Sequence, residues 1–237
     1  MPHSEHLSKQ YDSDLEDIRS RVLQMGGLVE AQILAAIECF GSGNYDLMAQ
    51  VTDTDRRVNS YEIEIDDACA HVIAKRQPAA GDLRLIMAVS KIVTDLERTG
   101  DEAEKIARMA RQIYERGRLQ IPRSADVRQA GQLAVAMLRR VLDAMARLDA
   151  VEAERIIDED ATIDDAFRGI VRQLVTYMME DPRTISTVLD IVWIAKAIER
   201  IGDHAKNIAE QVIYIVHGTD VRHTVKEGHG EPDGGPQ

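Results

Sequence analysis

The segment Asp95, Leu96, Glu97, Arg98, Thr99, Gly100, Asp101 returns 102 residues later as Ala197, Ile198, Glu199, Arg200, Ile201, Gly202, Asp203. Ala103, Ile106 and Ala107 are answered by Ala205, Ile208 and Ala209. Any fold of this chain must accommodate the same helix twice. Each copy puts two carboxylates four residues apart, on one face of a helix, with a glycine just before the second.

Apolar residues recur at helical spacing along most of the chain. Tyr11, Leu15, Ile18, Val22, Met25, Val29, Ile33, Ile37 and Phe40 define a long first helix, broken by Gly41, Ser42, Gly43 and Asn44. A second helix is predicted from Tyr45 to Gln77, before Pro78, and a third from Gly81 and Asp82 to about Tyr114. Arg116, Gly117, Arg118 and Pro122 mark a break. The order then repeats: a helix from Ser124, one from Val151 to Met179, a stop at Asp181 and Pro182, and a last helix from Thr184 to Val216.

Val51, Asp53 and Asp55 match Ile156, Asp158 and Asp160 at an offset of 105, so the register drifts at the turns, where a duplicated unit tolerates insertion. The expected fold is all-α, with two tandem pseudo-symmetric three-helix bundles at 1–118 and 119–217 and a Gly-rich, disordered tail at 218–237. Aromatic residues are only 4% of the chain, which favours packed amphipathic helices over sheets. The Gly and Pro breaks argue against a continuous coiled-coil rod.

A net charge of -12 disfavours direct binding to nucleic acid or anionic lipid. The sequence predicts no apolar run near the ~20 residues of a membrane helix and no signal-peptide core, hence a cytoplasmic protein that meets membranes only through partners. Cys39 and Cys69 lie in apolar helical patterns without metal-type spacing and are expected as buried free thiols.

On a helical wheel, Glu199 and Asp203 fall largely opposite the stripe Ile191, Ile194, Ile198, Ile201, Ala205, Ile208, Val212, and Glu97 and Asp101 do the same in the first copy. The carboxylates are therefore expected to face out of their bundles. Like charges four apart cost a helix about 0.2–0.5 kcal/mol, and a mid-helix glycine about 1 kcal/mol against alanine. Both penalties recur in both copies, which points to a site. Glu62 with Asp66, and Asp160 with Asp164, add further pairs from the preceding helices.

The candidate metal ligands are thus Glu62, Asp66, Glu97, Asp101, Asp160, Asp164, Glu199 and Asp203. Oxygen ligands suit hard or borderline divalent or iron cations, Mg, Mn, Fe or Zn. The plain alternative is a solvated acidic face countered by Arg98, Lys105 and Arg200. Trp193 is expected to pack, with a partner anchor as the second reading. His217, His223 and His229 are read as solvated, and Glu180 and Asp181 as turn residues.

These motifs resemble those of the PhoU family of phosphate-uptake regulators. The run Ile73, Ala74, Lys75, Arg76, Gln77, Pro78 with Gly81, Asp82, Leu83, Arg84 resembles the family's first inter-helix turn. Tyr177, Met178, Met179, Glu180, Asp181, Pro182, Arg183, Thr184, Ile185 resembles the second. The resemblance implies a non-enzymatic negative regulator of phosphate uptake and of phosphate-starvation signalling, an adaptor between a phosphate ABC transporter ATPase and a sensor histidine kinase. It also implies a homodimer, and metal clusters on Glu97, Asp101, Glu199 and Asp203, with Glu62 and Asp66 fitting the same pattern. Asn59 stands where many members have Asp, opposite Asp164, so the first-half site is the poorer in charge.

Two alternatives differ in class: a metal-free structural helical adaptor, and a ferritin-like di-metal enzyme. The second needs Glu-x-x-His motifs aimed into a four-helix core, and the sequence has none.

Overall fold

The helical periods close into seven α-helices in a computed structural model that describes residues 3–117 and 122–221, with side chains described from Gln10 onward. Helices α1 (His3–Ser42), α2 (Tyr45–Arg76) and α3 (Ala80–Glu115) form the first unit. Helices α4 (Ser124–Arg147), α5 (Ala150–Glu159), α6 (Ala161–Glu180) and α7 (Ile185–His217) form the second, with a short 3₁₀ turn at Pro182–Thr184. The fold is the expected all-α pair of three-helix units, with α5 and α6 together filling the middle place of the second, and the described residues contain no strand. His223, His229 and the tail from 222 lie outside the described residues.

Local chemistry sets the turns. Gly43 takes a left-handed φ of 69°, and its N–H donates to Cys39 O at 2.8 Å to close α1. A side chain there would strike the Tyr114 ring, at 2.6 Å from a Cβ, so glycine meets both demands. Asn44 then caps α2 by accepting from the N–H of Asp46 and Leu47. Asp149 caps α5 through Glu152 N, and Asp181 accepts from Arg183 N, as expected of a turn residue.

The fifth predicted helix is two helices. Ile163 N–H bonds Asp160 O at 3.0 Å, an i to i+3 contact, and the break falls where the buried Asp160 carboxylate accepts from Lys206 Nζ of α7 at 2.7 Å. The break is a tertiary effect.

Helices α3 and α7, the two copies of the repeated segment, lie antiparallel at the centre and make the most extensive helix–helix contact of the fold. α1 and α2 pack on α3, α4 to α6 pack on α7, and α1 touches α4. One continuous apolar core results, including Phe40, Ile65, Leu96, Ile106, Leu138 and Ile201. Charged and aromatic pairs run along the seam between the units. Glu102, buried, accepts from Arg200 at 2.6 Å and Lys105 at 3.2 Å, Lys105 lies over the Trp193 ring, Lys91 over Tyr214, and Arg116 pairs with Asp190.

Cys39 and Cys69 are free and buried, as expected, and burial pushes each thiol up to about 11. One stretch corrects the hydropathy expectation. Within Gln10–Ser42, α1 is long and apolar enough by composition to cross a membrane. Half of its apolar 18-residue window is buried inside the fold, where Val22, Met25, Val29 and Ile33 of this helix join the core.

Candidate functional site: an acidic cluster on the repeated helices

Three of the predicted ligands come together. One carboxylate oxygen each from Asp164 on α6 and from Glu199 and Asp203 on α7 lie within 4.8 Å of one another. All three are partly buried, and among the described residues no other trio of metal-ligating side chains is so disposed. Helical spacing stacks Glu199 below Asp203, and the turn at Asp160 delivers Asp164 to the same spot. Separations of this size match oxygens that share one cation shell.

The electrostatics are those of crowded acids. Burial, then Glu199 and Asp160, push Asp203 above the usual carboxylate range, while Lys196 pulls it back. Counter-charges already border the cluster: Lys196 Nζ is 2.5 Å from Glu199 Oε1, and Arg168 Nη2 is 3.6 Å from Asp164 Oδ2. Asp160 is buried and spent on Lys206, beside the trio rather than in it.

The structure corrects the outward-facing expectation for Glu199, whose side chain keeps only 12% of its exposure. The glycines also serve packing. A Cβ on Gly202 would meet Ile163 Cδ1 at 2.9 Å, and one on Gly100 would meet Gln32 Oε1 at 3.0 Å. Gly202 lets α6 approach α7. Gly100 admits the buried Gln32 amide, which donates to Asp55 Oδ1 at 3.0 Å, Gly100 O at 3.2 Å and Val51 O at 3.3 Å.

In the first unit Glu62, Glu97 and Asp101 feel one another without gathering as tightly. Burial raises all three, then Asp66 and Asp101 act on Glu62, Asp101 and Glu62 on Glu97, and Asp55 and Glu102 on Asp101. Asp66 is exposed and accepts from Ser90 Oγ at 2.9 Å. Asn59 occupies the position of Asp164 and donates to Asp55 Oδ2 at 3.5 Å.

Sequence reasoning missed Asp55. Gly100 faces Val58 as Gly202 faces Ile163, which fixes the offset between α2 and α6 at 105. The counterparts of Asp160 and Asp164 are therefore Asp55 and Asn59, and those of Glu62 and Asp66 are Phe167 and Val171. The offset already pairing Asp55 with Asp160 was the signal. Trp193, expected to pack, is 53% exposed beneath Lys105.

Comparison with known proteins agrees with the duplicated geometry. The PhoU domain model matches residues 22–110 and again residues 127–212. A phosphate-specific transport system accessory protein PhoU homolog of Pseudomonas aeruginosa is 50% identical over 92% of this chain and 90% of its own length. Its Escherichia coli K12 counterpart is 46% identical over 93% and 90%. The crystal structure of PhoU from Pseudomonas aeruginosa superposes with a TM-score of 0.85 at 49% identity, covering 88% of this chain and all of that one. That of the phosphate transport system regulatory protein PhoU from Streptococcus pneumoniae gives 0.81 at 26% identity, over 89% and 99%. With both repeats matched and relatives aligned nearly end to end, this chain belongs to the PhoU family.

Proposed function

We propose that the protein is a negative regulator of phosphate uptake and phosphate-starvation signalling, a cytoplasmic homodimeric adaptor between a phosphate ABC transporter ATPase and a sensor histidine kinase. The observation that carries this reading is 46% to 50% identity over nearly the whole chain to relatives named as accessory proteins of phosphate-specific transport. The convergence of Asp164, Glu199 and Asp203 supports a divalent or iron cation on the second unit.

Deleting the protein is expected to derepress phosphate-starvation genes at high phosphate. Unchanged reporter expression in the deletion strain would overturn the regulatory reading. For the cation, elemental analysis of protein purified without chelator should find metal that E199A/D203A loses while keeping its helicity.

A second reading, a metal-free structural adaptor, is favoured by one observation: Lys196, Lys206 and Arg168 already supply positive charge around the acids. Wild-type protein purified without chelator and found free of metal selects it, whereas equal metal in wild type and double variant removes Glu199 and Asp203 from the site.

A further inference from the structure

The duplication provides an internal control for every surface, and one groove stands out against it. Between α2 and α3, at the Tyr45 end, lies an open groove of ≈ 750 Å³, within the size range of small-ligand sites. Ala49 and Ala107 keep its floor low, and Arg56, Arg108 and Arg111 line it. Three guanidiniums gather here on a chain of net charge -12.

The second unit has no such set. Where the first copy carries Tyr45 and Arg56, residues 105 further on are Ala150 and Ala161. Where it carries Arg108 and Arg111, residues 102 further on are Glu210 and Ile213. Folding of a three-helix unit therefore does not require the arginines.

Their donors are largely unspent on the protein. Arg111 uses Nε on Glu115 Oε1 at 2.7 Å, which leaves both terminal nitrogens. Arg56 has only a long contact of 3.7 Å with Asp53, both side chains about three-quarters exposed. Asp53 and Glu104 also line the groove, so arginine exceeds carboxylate there by one charge. Half-exposed Tyr45 offers an aromatic face beside Arg111. Guanidinium forks match phosphate oxygens two at a time, and the space exceeds what orthophosphate alone fills.

We propose that this groove binds a phosphate-bearing small-molecule anion, its phosphate oxygens on Arg56, Arg108 and Arg111 and the rest of the ligand along Tyr45. The site is separate from the acidic cluster of the second unit and independent of the regulatory reading.

The test uses the full chain in EDTA, with ATP and orthophosphate titrated at constant ionic strength. The second copy supplies the variant, R56A/R108E/R111I, with circular dichroism to verify folding. Wild type should bind at least one probe, and the variant should lose tenfold or more in affinity, about tenfold being what one charge-assisted contact supplies. Equal affinity for both probes assigns the site to phosphate itself, and binding of ATP alone assigns it to a nucleotide-sized ligand. Should the triple variant lose helicity, R108A replaces it and must weaken binding about tenfold. Neither probe saturating below about 5 mM, or affinity unchanged in a folded variant, overturns the proposal.

Discussion

His204 Nδ1 of the second unit stands 2.9 Å from Asp95 Oδ1 of the first, and the same oxygen accepts from Asn207 Nδ2 at 3.1 Å. Both side chains of the pair are nearly buried, at 8% and 12% exposure. The counterparts of Asp95 and His204 under the duplication are Ala197 and Glu102, and Glu102 binds Arg200 across the same seam. The two copies have thus diverged into different polar contacts at pseudo-equivalent places.

Asp95→Ala is expected to destabilise the protein by about 1–3 kcal/mol, because it takes the partner from the buried His204 imidazole and the partly buried Asn207 amide at the seam. The double variant D95A/H204L should recover part of that loss, since it removes donor and acceptor together. Urea unfolding of both single variants and the double gives the coupling, and simple additivity would show that the pair does not join the units.

Glycine position decides the sign of a second set of changes. A Cβ at Gly27 of α1 meets nothing within 4 Å, so Gly27→Ala should gain about 0.5–1 kcal/mol from helix propensity. Gly202→Ala gains the same term but forces Ile163 aside, at an overpacking cost of about 1–3 kcal/mol. Thermal melts should therefore move up for the first and down for the second. A stabilised G202A would mean that α6 has room to spare.

The ends of α2, α3 and α7 and the start of α4 were legible because apolar periods stop at Gly, Pro and Asn, and these signals are local. The break at Asp160 was not, since the residue there is held by Lys206 from a helix distant in sequence. Glu199 misled the helical wheel for a related reason. A wheel assumes one packing partner, whereas α7 packs on α3, α4, α5 and α6. Asp55 was hidden by coincidence, because Glu62 and Asp66 mimic the four-residue spacing of Asp160 and Asp164 while lying elsewhere on the duplication. Trp193 shows the converse case, an aromatic residue whose burial its pattern overstated.

The acids also set a pH dependence. Glu62, Glu97, Asp101 and Asp203 are all raised in the folded state, chiefly by burial and then by neighbouring carboxylates. A raised folded carboxylate binds its proton more tightly folded than unfolded, so stability falls as pH climbs from the ordinary value of about 4 through the folded one. The unfavourable contribution is complete once pH exceeds the folded value and absent below the ordinary one. In EDTA, Asp203→Asn should therefore be more stable than wild type at pH 7, by about 0.2–0.5 kcal/mol, with the difference vanishing near pH 4. Wild type being the more stable at pH 7 would contradict the crowding.

Asn59 separates the two units chemically, and restoring its charge is the most direct trial of the proposed cation site. Asn59→Asp puts a carboxylate where Asp164 stands in the second unit, next to Asp55, which itself acts on Glu97 and Asp101. Without metal, one more acid among acids already raised should lower stability by a few tenths of a kcal/mol. With Mn²⁺ the sign should reverse, because a ligand that binds only the folded state stabilises it by about 2.7 kcal/mol at a hundred times its Kd. Elemental analysis should then find more metal per chain in N59D than in wild type, and D164N should lose metal from the second unit. If N59D gains none while D164N still loses its share, carboxylate count is not what distinguishes the units, and the different partners of Asp55 and Asp160, Gln32 in one unit and Lys206 in the other, become the difference to test.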